Sequence, residues 1–400
     1  MKALILQSGG PTAVLNQSLA GVASCFHQKG SLLGARYGLQ GLLHEDLIDL
    51  HDLPWDSIQK TPGAFLGSAR IKPTPEDIQR IVQVLDAHKI QTLFWIGGND
   101  SAEAANIIFQ NAPHIQVILI PKTIDNDLLE TDFCPGYLSA ARLINYLALG
   151  EEWDCLSLKH SIKINICMGR HTGWLAAASG LSLYQKPTHL IYVPEIPFSS
   201  EKFLQDIALS FNQYGRATVI VAEGVFTQLQ KEDHLKDEFG NPFLSTSKLG
   251  DYLYHLVETQ LPPLLKEKVK FRLRCDTWGY LQRCFPDITS SLDEKVAYTL
   301  GQKAFELTLL KKSGIMVTLL SDLSMGYCSL DKVSQKTKYL PRSYMNSQGN
   351  HISSAFFHKF QPLVGSLPQM PEVSLESLTS LVKPYFKERN PLNSKQLKAE

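Results

Sequence analysis

In the first third of the chain, short apolar runs alternate with helical stripes. KALILQS (2–8) is an almost continuous apolar run of strand length, the pattern of a strand buried on both faces. A glycine turn, GGPTAVLN (9–16), and a helical stretch, QSLAGVASCFHQ (17–28), follow it. PTPEDIQRIVQVLDAHK (73–89) predicts a helix. Thr74 is placed to cap it, Pro75 fits its first turn, and Glu76 and Asp77 favour its positive end. Ile78, Ile81, Val82 and Leu85 then fall at i, i+3, i+4 and i+7, on one face. QTLFWIGG (91–98) predicts the next strand and SAEAANIIFQ (101–110) a helix starting near Ser101. IQVILIPKTIDND (115–127) predicts a strand with a polar end.

The alternation then resumes. IKINICMGR (162–170), THLIYVPE (188–195), ATVIVAEG (217–224) and SGIMVTLL (313–320) predict strands. GWLAAASGLSL (173–183), YHLVETQLPPLL (254–265) and 290–310 predict helices, and 228–262 is more charged and looser. From about 335 the chain is richer in Pro, Ser and Asn, as expected of a tail wrapping the body. Strands separated by helices imply parallel pairing, because a parallel crossover needs that length. The expected fold is therefore α/β, and ligands in such sheets sit at the carboxyl ends of the strands. Four of those ends carry polar clusters, SGGPT, GGNDS, KTIDND and MGRHTG, and a fifth ends in AEG. One cleft assembled from them is the economical expectation.

Composition narrows the function classes. Lys+Arg and Asp+Glu are both 39, so net charge is zero, which argues against a general binder of nucleic acid or anionic membrane. KEKVKFRLR (266–274) is the dense basic patch, with a solvated face and a phosphate site as its two readings. Seven cysteines without a CxxC spacing fit reduced thiols in a cytoplasmic protein. MKALILQSGG is too short an apolar stretch for a signal peptide, and no apolar run reaches the roughly 18 residues of a membrane helix.

The strand ends supply candidate chemistry. Asp125 and Asp127 are two residues apart, so on extended backbone both carboxylates share a face. One such carboxylate suits Mg²⁺ and the other suits taking a proton from an attacking hydroxyl. A polar loop whose aspartates cap turns gives the same letters. Lys122 adds a point charge for phosphate, and glycine pairs let backbone approach phosphate oxygens. Arg170 can fork onto a phosphate, and Glu223 can accept from sugar hydroxyls.

GGPTAVLN, LGSAR, GGNDS, PKTIDND, MGR, PE, AEG and GYLQR occur in the order and spacing of the phosphofructokinase family, which the chain resembles over about 9–325. The tail resembles extensions of the family's pyrophosphate-dependent branch. The resemblance implies two Rossmann-like three-layer α/β/α domains with mostly parallel sheets: 1–135 plus 282–332 binding the donor, 136–281 binding the sugar phosphate, and 333–400 as an extension on the body. It implies phosphoryl transfer to O1 of fructose 6-phosphate with Asp125 as base. Thr123 and Ile124 would lie against the sugar, and Met168, Gly169 and Arg170 at its site. Glu223 would bind the sugar hydroxyls, and Arg274, Tyr280 and Arg283 the 6-phosphate. Gly10 would touch the donor and Arg70 would stabilise the transferring group. Mg²⁺ would be held by Asn99 and Asp127, although most relatives have aspartate where Asn99 stands. A residue of the Arg274 type reaches across a subunit interface, implying a homodimer or homotetramer. Tyr280 replaces a histidine of many ATP-using relatives. An interface arginine of some relatives falls near Ser161, with Lys163 beside it. Ala20 and Ser24 replace effector-binding arginines, so no nucleotide effector is expected.

By the same resemblance, donor choice turns on Asp100, glycine in ATP-using relatives, and on Lys122, usually glycine there. A carboxylate about 4 Å from a phosphate charge, at an effective dielectric near 20, costs about 4 kcal/mol, roughly three decades in affinity. The lysine can hold a pyrophosphate oxygen while its stem crowds the nucleotide. The pair resembles the pyrophosphate-dependent branch, and the expected donor is pyrophosphate. An ATP-dependent 6-phosphofructokinase and a non-catalytic sugar-phosphate-binding paralogue are the alternatives. A dinucleotide oxidoreductase has no GxGxxG after the first strand to support it.

Overall fold

The apolar runs build two sheets in a computed structural model that describes residues 1–26, 29–225 and 246–369. The first comprises β1 (Lys2–Gln7), β2 (Ser31–Ala35), β3 (Leu47–Asp49), β4 (Thr92–Gly97), β5 (Gln116–Pro121), β10 (Ile315–Leu319) and β11 (Met325–Ser329). Its order is β11-β10-β5-β4-β1-β2-β3, parallel except for the two outermost pairs. The second comprises β6 (Ser161–Cys167), β7 (His189–Tyr192), β8 (Arg216–Ala222) and β9 (Arg272–Thr277), in the all-parallel order β7-β8-β6-β9. The mostly parallel α/β architecture is thus as expected.

The helix Pro75–Ala87 starts as its sequence dictates. The Thr74 side chain accepts from the Asp77 amide, Asp77 answers onto the Thr74 backbone, and Ile78, Ile81 and Leu85 are buried. Trp95 and Trp174 are core residues. The helices Leu15–Phe26 and Ser291–Leu309 cross at bare backbone. A Cβ at Gly21 would run into the Tyr298 carbonyl oxygen, and one at Gly301 into that of Ser18.

Several expectations need correction. The strand expected over 115–127 ends at Pro121, and the chain then bends through Asn126, at φ +51°, so Asp125 and Asp127 do not sit on extended backbone. The helix expected near Ser101 begins at Asn99, which puts Asn99 and Asp100 in its first turn. The stretch 173–183 is helical only over Trp174–Ala178, because Ser179 and Gly180 turn the chain. Much of the looser 228–262 stretch lies outside the described residues, but Thr246–Gln260 is a helix. The tail contributes a further helix, Ser354–Val364, whose Phe356 and Phe360 are fully buried. Among the described residues no helix is long and apolar enough to cross a membrane.

Candidate active site

Strand register sets the site. Gly97 pairs with Pro121 across β4 and β5, so Gly98 and Lys122 leave the sheet side by side, with the Lys122 amide bonded to the Gly97 carbonyl (3.0 Å). In the second sheet Cys167 pairs with Ala222, which delivers Met168 and Glu223 together. Both sets of ends open on one cleft of about 740 Å³. Gly10, Arg70, Asn99, Asp100, Lys122, Thr123, Ile124, Asp125, Asp127, Met168, Arg170, Glu223, Tyr280 and Arg283 all line it. Two expected residues do not. Gly169 is buried beside the wall at φ +137° and accepts from the Gly224 amide (3.0 Å). Arg274 stands exposed on β9, the edge of the second sheet.

The wall is held by a polar frame. The Gln7 side chain, at the end of β1, donates to Asn16 (3.0 Å) and accepts from the Leu66 amide (3.0 Å). Asn16 binds Thr61 and Phe65, and Ser68 donates to the Gly9 carbonyl (2.7 Å), so the loop carrying Arg70 is tied to β1. Ser8 accepts from the Trp95 indole (2.7 Å) and meets Ser101 (2.5 Å), seating the GGNDS turn. Gln282 accepts from the Met168 amide (3.0 Å), tying the segment of Tyr280 and Arg283 to the end of β6. The Arg283 guanidinium lies 4.5 Å from the Tyr280 ring centre and close beside Gly10.

Burial makes the charges work against their solvation. Lys122 is 3% exposed and donates to the Gly10 carbonyl (2.7 Å). Burial, with Arg283 and Arg70 nearby, pulls its ammonium down to about 8. Burial, with the Asp127 and Glu223 carboxylates nearby, pushes the Asp125 carboxyl up to about 7. Asp127 and Glu223 are raised too, mainly by burial. A base must lose its proton and a phosphate-binding lysine must keep its own. With Asp125 as that base and Lys122 as that lysine, activity is expected to rise as pH climbs through about 7 and to fall as it climbs through about 8. We expect kcat/KM for the phosphoryl donor to be bell-shaped, peaking between those limbs, and Lys122→Met to remove the alkaline limb. A pH–rate series on both proteins checks it.

The cation question has a structural test. Asp127 Oδ2 accepts from Asn99 Nδ2 (2.6 Å), while Oδ1 of Asn99, Asp125 and Asp127 are buried without a hydrogen-bond partner. Buried acceptors left this way fit a hard cation that takes oxygen ligands. Among the described residues no three His, Cys, Asp or Glu side chains converge as a metal cage.

Sequence reasoning missed two contributors. His171, which follows the MGR segment, lines the cleft. Lys338 in the tail sits under the Asp125–Asp127 bend. Lys163 is engaged by Glu151 (2.9 Å) and Asp154, so it is not free to stand in for the interface arginine.

The phosphofructokinase family model matches residues 2–308. A pyrophosphate–fructose 6-phosphate 1-phosphotransferase of Rhodospirillum rubrum is 35% identical, over 91% of this chain and 94% of its own. The crystal structure of a pyrophosphate-dependent phosphofructokinase from Marinobacter aquaeolei superposes with a TM-score of 0.77 at 31% identity, covering 92% of this chain and 93% of that one. An ATP-dependent 6-phosphofructokinase of Mycobacterium tuberculosis is 28% identical over 86% of this chain and 97% of its own.

Proposed function

The chain belongs to the phosphofructokinase family, and from that premise we propose that it transfers a phosphoryl group from pyrophosphate to O1 of fructose 6-phosphate, reversibly, giving fructose 1,6-bisphosphate and phosphate. One observation carries the reading. The β4–β5 register puts Asp100 and the buried Lys122 in the same cleft as Asp125.

Asp125 takes the proton of the sugar 1-hydroxyl as O1 attacks the nearer phosphorus. The bond from that phosphorus to the bridging oxygen breaks, and phosphate leaves. Lys122, Arg70 and the backbone at Gly10 neutralise the charge that moves, which is most of what phosphoryl transfer asks of a protein. Mg²⁺, when bound, neutralises donor phosphate oxygens, and Asp127 and Asn99 are the residues to hold it. Thr123, Ile124, Met168, Gly169, Arg170 and Glu223 hold the sugar, and Tyr280 and Arg283 its 6-phosphate. The exposure of Arg274 on a sheet edge suits service to a neighbouring subunit's 6-phosphate in a homodimer or homotetramer. In this reading 1–135 plus 282–332 bind the donor, 136–281 bind the sugar phosphate, and 333–400 form the extension. Free thiols at all seven cysteines suit a cytoplasmic site of action.

The test is an assay of fructose 1,6-bisphosphate formation with Mg²⁺ and either donor. Turnover with pyrophosphate and none with ATP is expected, and the reverse result overturns the donor assignment.

A further inference from the structure

We propose that Lys338, in the C-terminal extension, is a positioning residue that holds the Asn126 turn so that Asp125 and Asp127 both face the reacting groups. The proposal rests on the reading of Asp125 as base. Asn126 separates the two carboxylates, is fully buried and has φ +51°, a left-handed conformation that asparagine tolerates better than most L residues and that its surroundings hold in place. The Lys338 ammonium supplies that hold. It donates to Asn126 Oδ1 (3.0 Å), the Thr131 carbonyl (2.8 Å) and the Asp132 carbonyl (3.0 Å), which accounts for all three of its protons. The Lys338 backbone amide donates to the Asp127 carbonyl (2.7 Å), fixing the far side of the turn.

The same residue reaches the sugar side of the cleft. Its carbonyl accepts from the Trp174 indole (3.0 Å), and its ammonium lies 5.2 Å from the Trp174 ring centre. Trp174 follows the MGRHTG segment that carries Arg170. Glu195 ties the two chain segments again, accepting from the Gly173 amide (3.0 Å) and the Leu340 amide (2.8 Å). Residues 338–340 of the extension are therefore tied to both halves of the site. Inside the Asp125–Asp127 turn itself, the Asn126 side chain also accepts from the Cys134 amide (3.1 Å) and donates to the Asp132 carbonyl (3.3 Å). Those bonds keep the turn compact, but among the described residues the extension grips it through Lys338.

A lysine that merely staples the tail lowers the melting temperature and leaves turnover alone. A positioning lysine lowers kcat at unchanged KM, because a small displacement of a catalytic group costs about 100-fold in rate. Lys338→Met is expected to cut kcat by about that factor, with KM for fructose 6-phosphate and pyrophosphate little changed. Asn126→Gly keeps the left-handed turn sterically open but removes the acceptor, so it should show the same split. The double variant should be no worse than the poorer single one, as for two residues acting through one contact. Wild-type kcat in folded Lys338→Met overturns the proposal, as does full additivity with Asn126→Gly. If Lys338→Met does not fold, wild-type kcat in Asn126→Gly overturns it. Asp125→Asn run alongside separates the two ideas: turnover there at the wild-type rate means that the reading of the base is wrong, whatever Lys338 does.

Discussion

Asp125→Asn loses phosphorylation of fructose 6-phosphate, with kcat down by roughly 10²–10⁴-fold, the contribution of a positioned general base. The substitution keeps side-chain shape and one acceptor oxygen but cannot take the proton of the 1-hydroxyl. The site is built for a base that is hard to ionise. Asp125 Oδ1 is buried without a partner, and two further carboxylates, Asp127 and Glu223, oppose its charge. The fold tolerates that cost through the cations Arg283 and Arg170, whose fields pull the other way. Removing the Asp125 charge therefore does not weaken sugar binding through lost attraction, and fructose 6-phosphate affinity by calorimetry should stay near wild type. Asp127 loses a like-charged neighbour in the variant, so its carboxylate form becomes easier to reach. A variant that binds the sugar phosphate normally and turns over at the wild-type rate would remove Asp125 from the chemistry. A variant that neither binds nor reacts would make it a structural residue.

Much of this was legible because the determinants are local. The helix Pro75–Ala87 carries its own capping box, and β4 and β5 are apolar runs stopped by Gly97 and Pro121. The strand-end clusters announced the cleft because a parallel sheet gathers such ends on one side. Strand β2 and the edge strands β3 and β11 were not legible. They are short, and their pairing is decided by neighbours far along the chain. The long helix Tyr137–Ser157 was also missed. It is buried on several sides against the body, so no polar stripe marks its period. The turn at Asn126 and its clamp by Lys338 join positions 212 residues apart, and no local pattern foretells that contact. Nor does the sequence show that Asp100 sits one residue inside a helix start. Gly98 serves as the cap residue without a side chain, and the polar Asn99 and Asp100 look like turn residues until the fold places them.

The double variant Asp100→Gly/Lys122→Gly shifts donor preference from pyrophosphate toward ATP by about 10²–10⁵-fold, and its two halves act on different donors. Asp100 opposes a nucleotide phosphate. The residue is exposed within the cleft, so water screens it, and at about 4 Å the penalty lies between about 1 kcal/mol in bulk water and about 4 kcal/mol at an effective dielectric of 20. Opening that position to glycine also clears room at the helix start. Lys122 acts on pyrophosphate. It is buried and aimed by the Gly10 carbonyl, so a donor oxygen meets a cation with little left to order. A hydrogen bond to such a charge is worth about 1.5–3 kcal/mol. Asp100→Gly alone should leave pyrophosphate turnover near wild type and admit weak ATP turnover. Lys122→Gly alone should depress pyrophosphate kcat/KM and, by removing a stem from the wall, widen the cleft. The readout is the ratio of kcat/KM for the two donors at fixed Mg²⁺ and one fixed pH between 7 and 8. An unaltered ratio in the double variant would mean that donor choice resides elsewhere in the cleft, and the assignment of these two positions would fall.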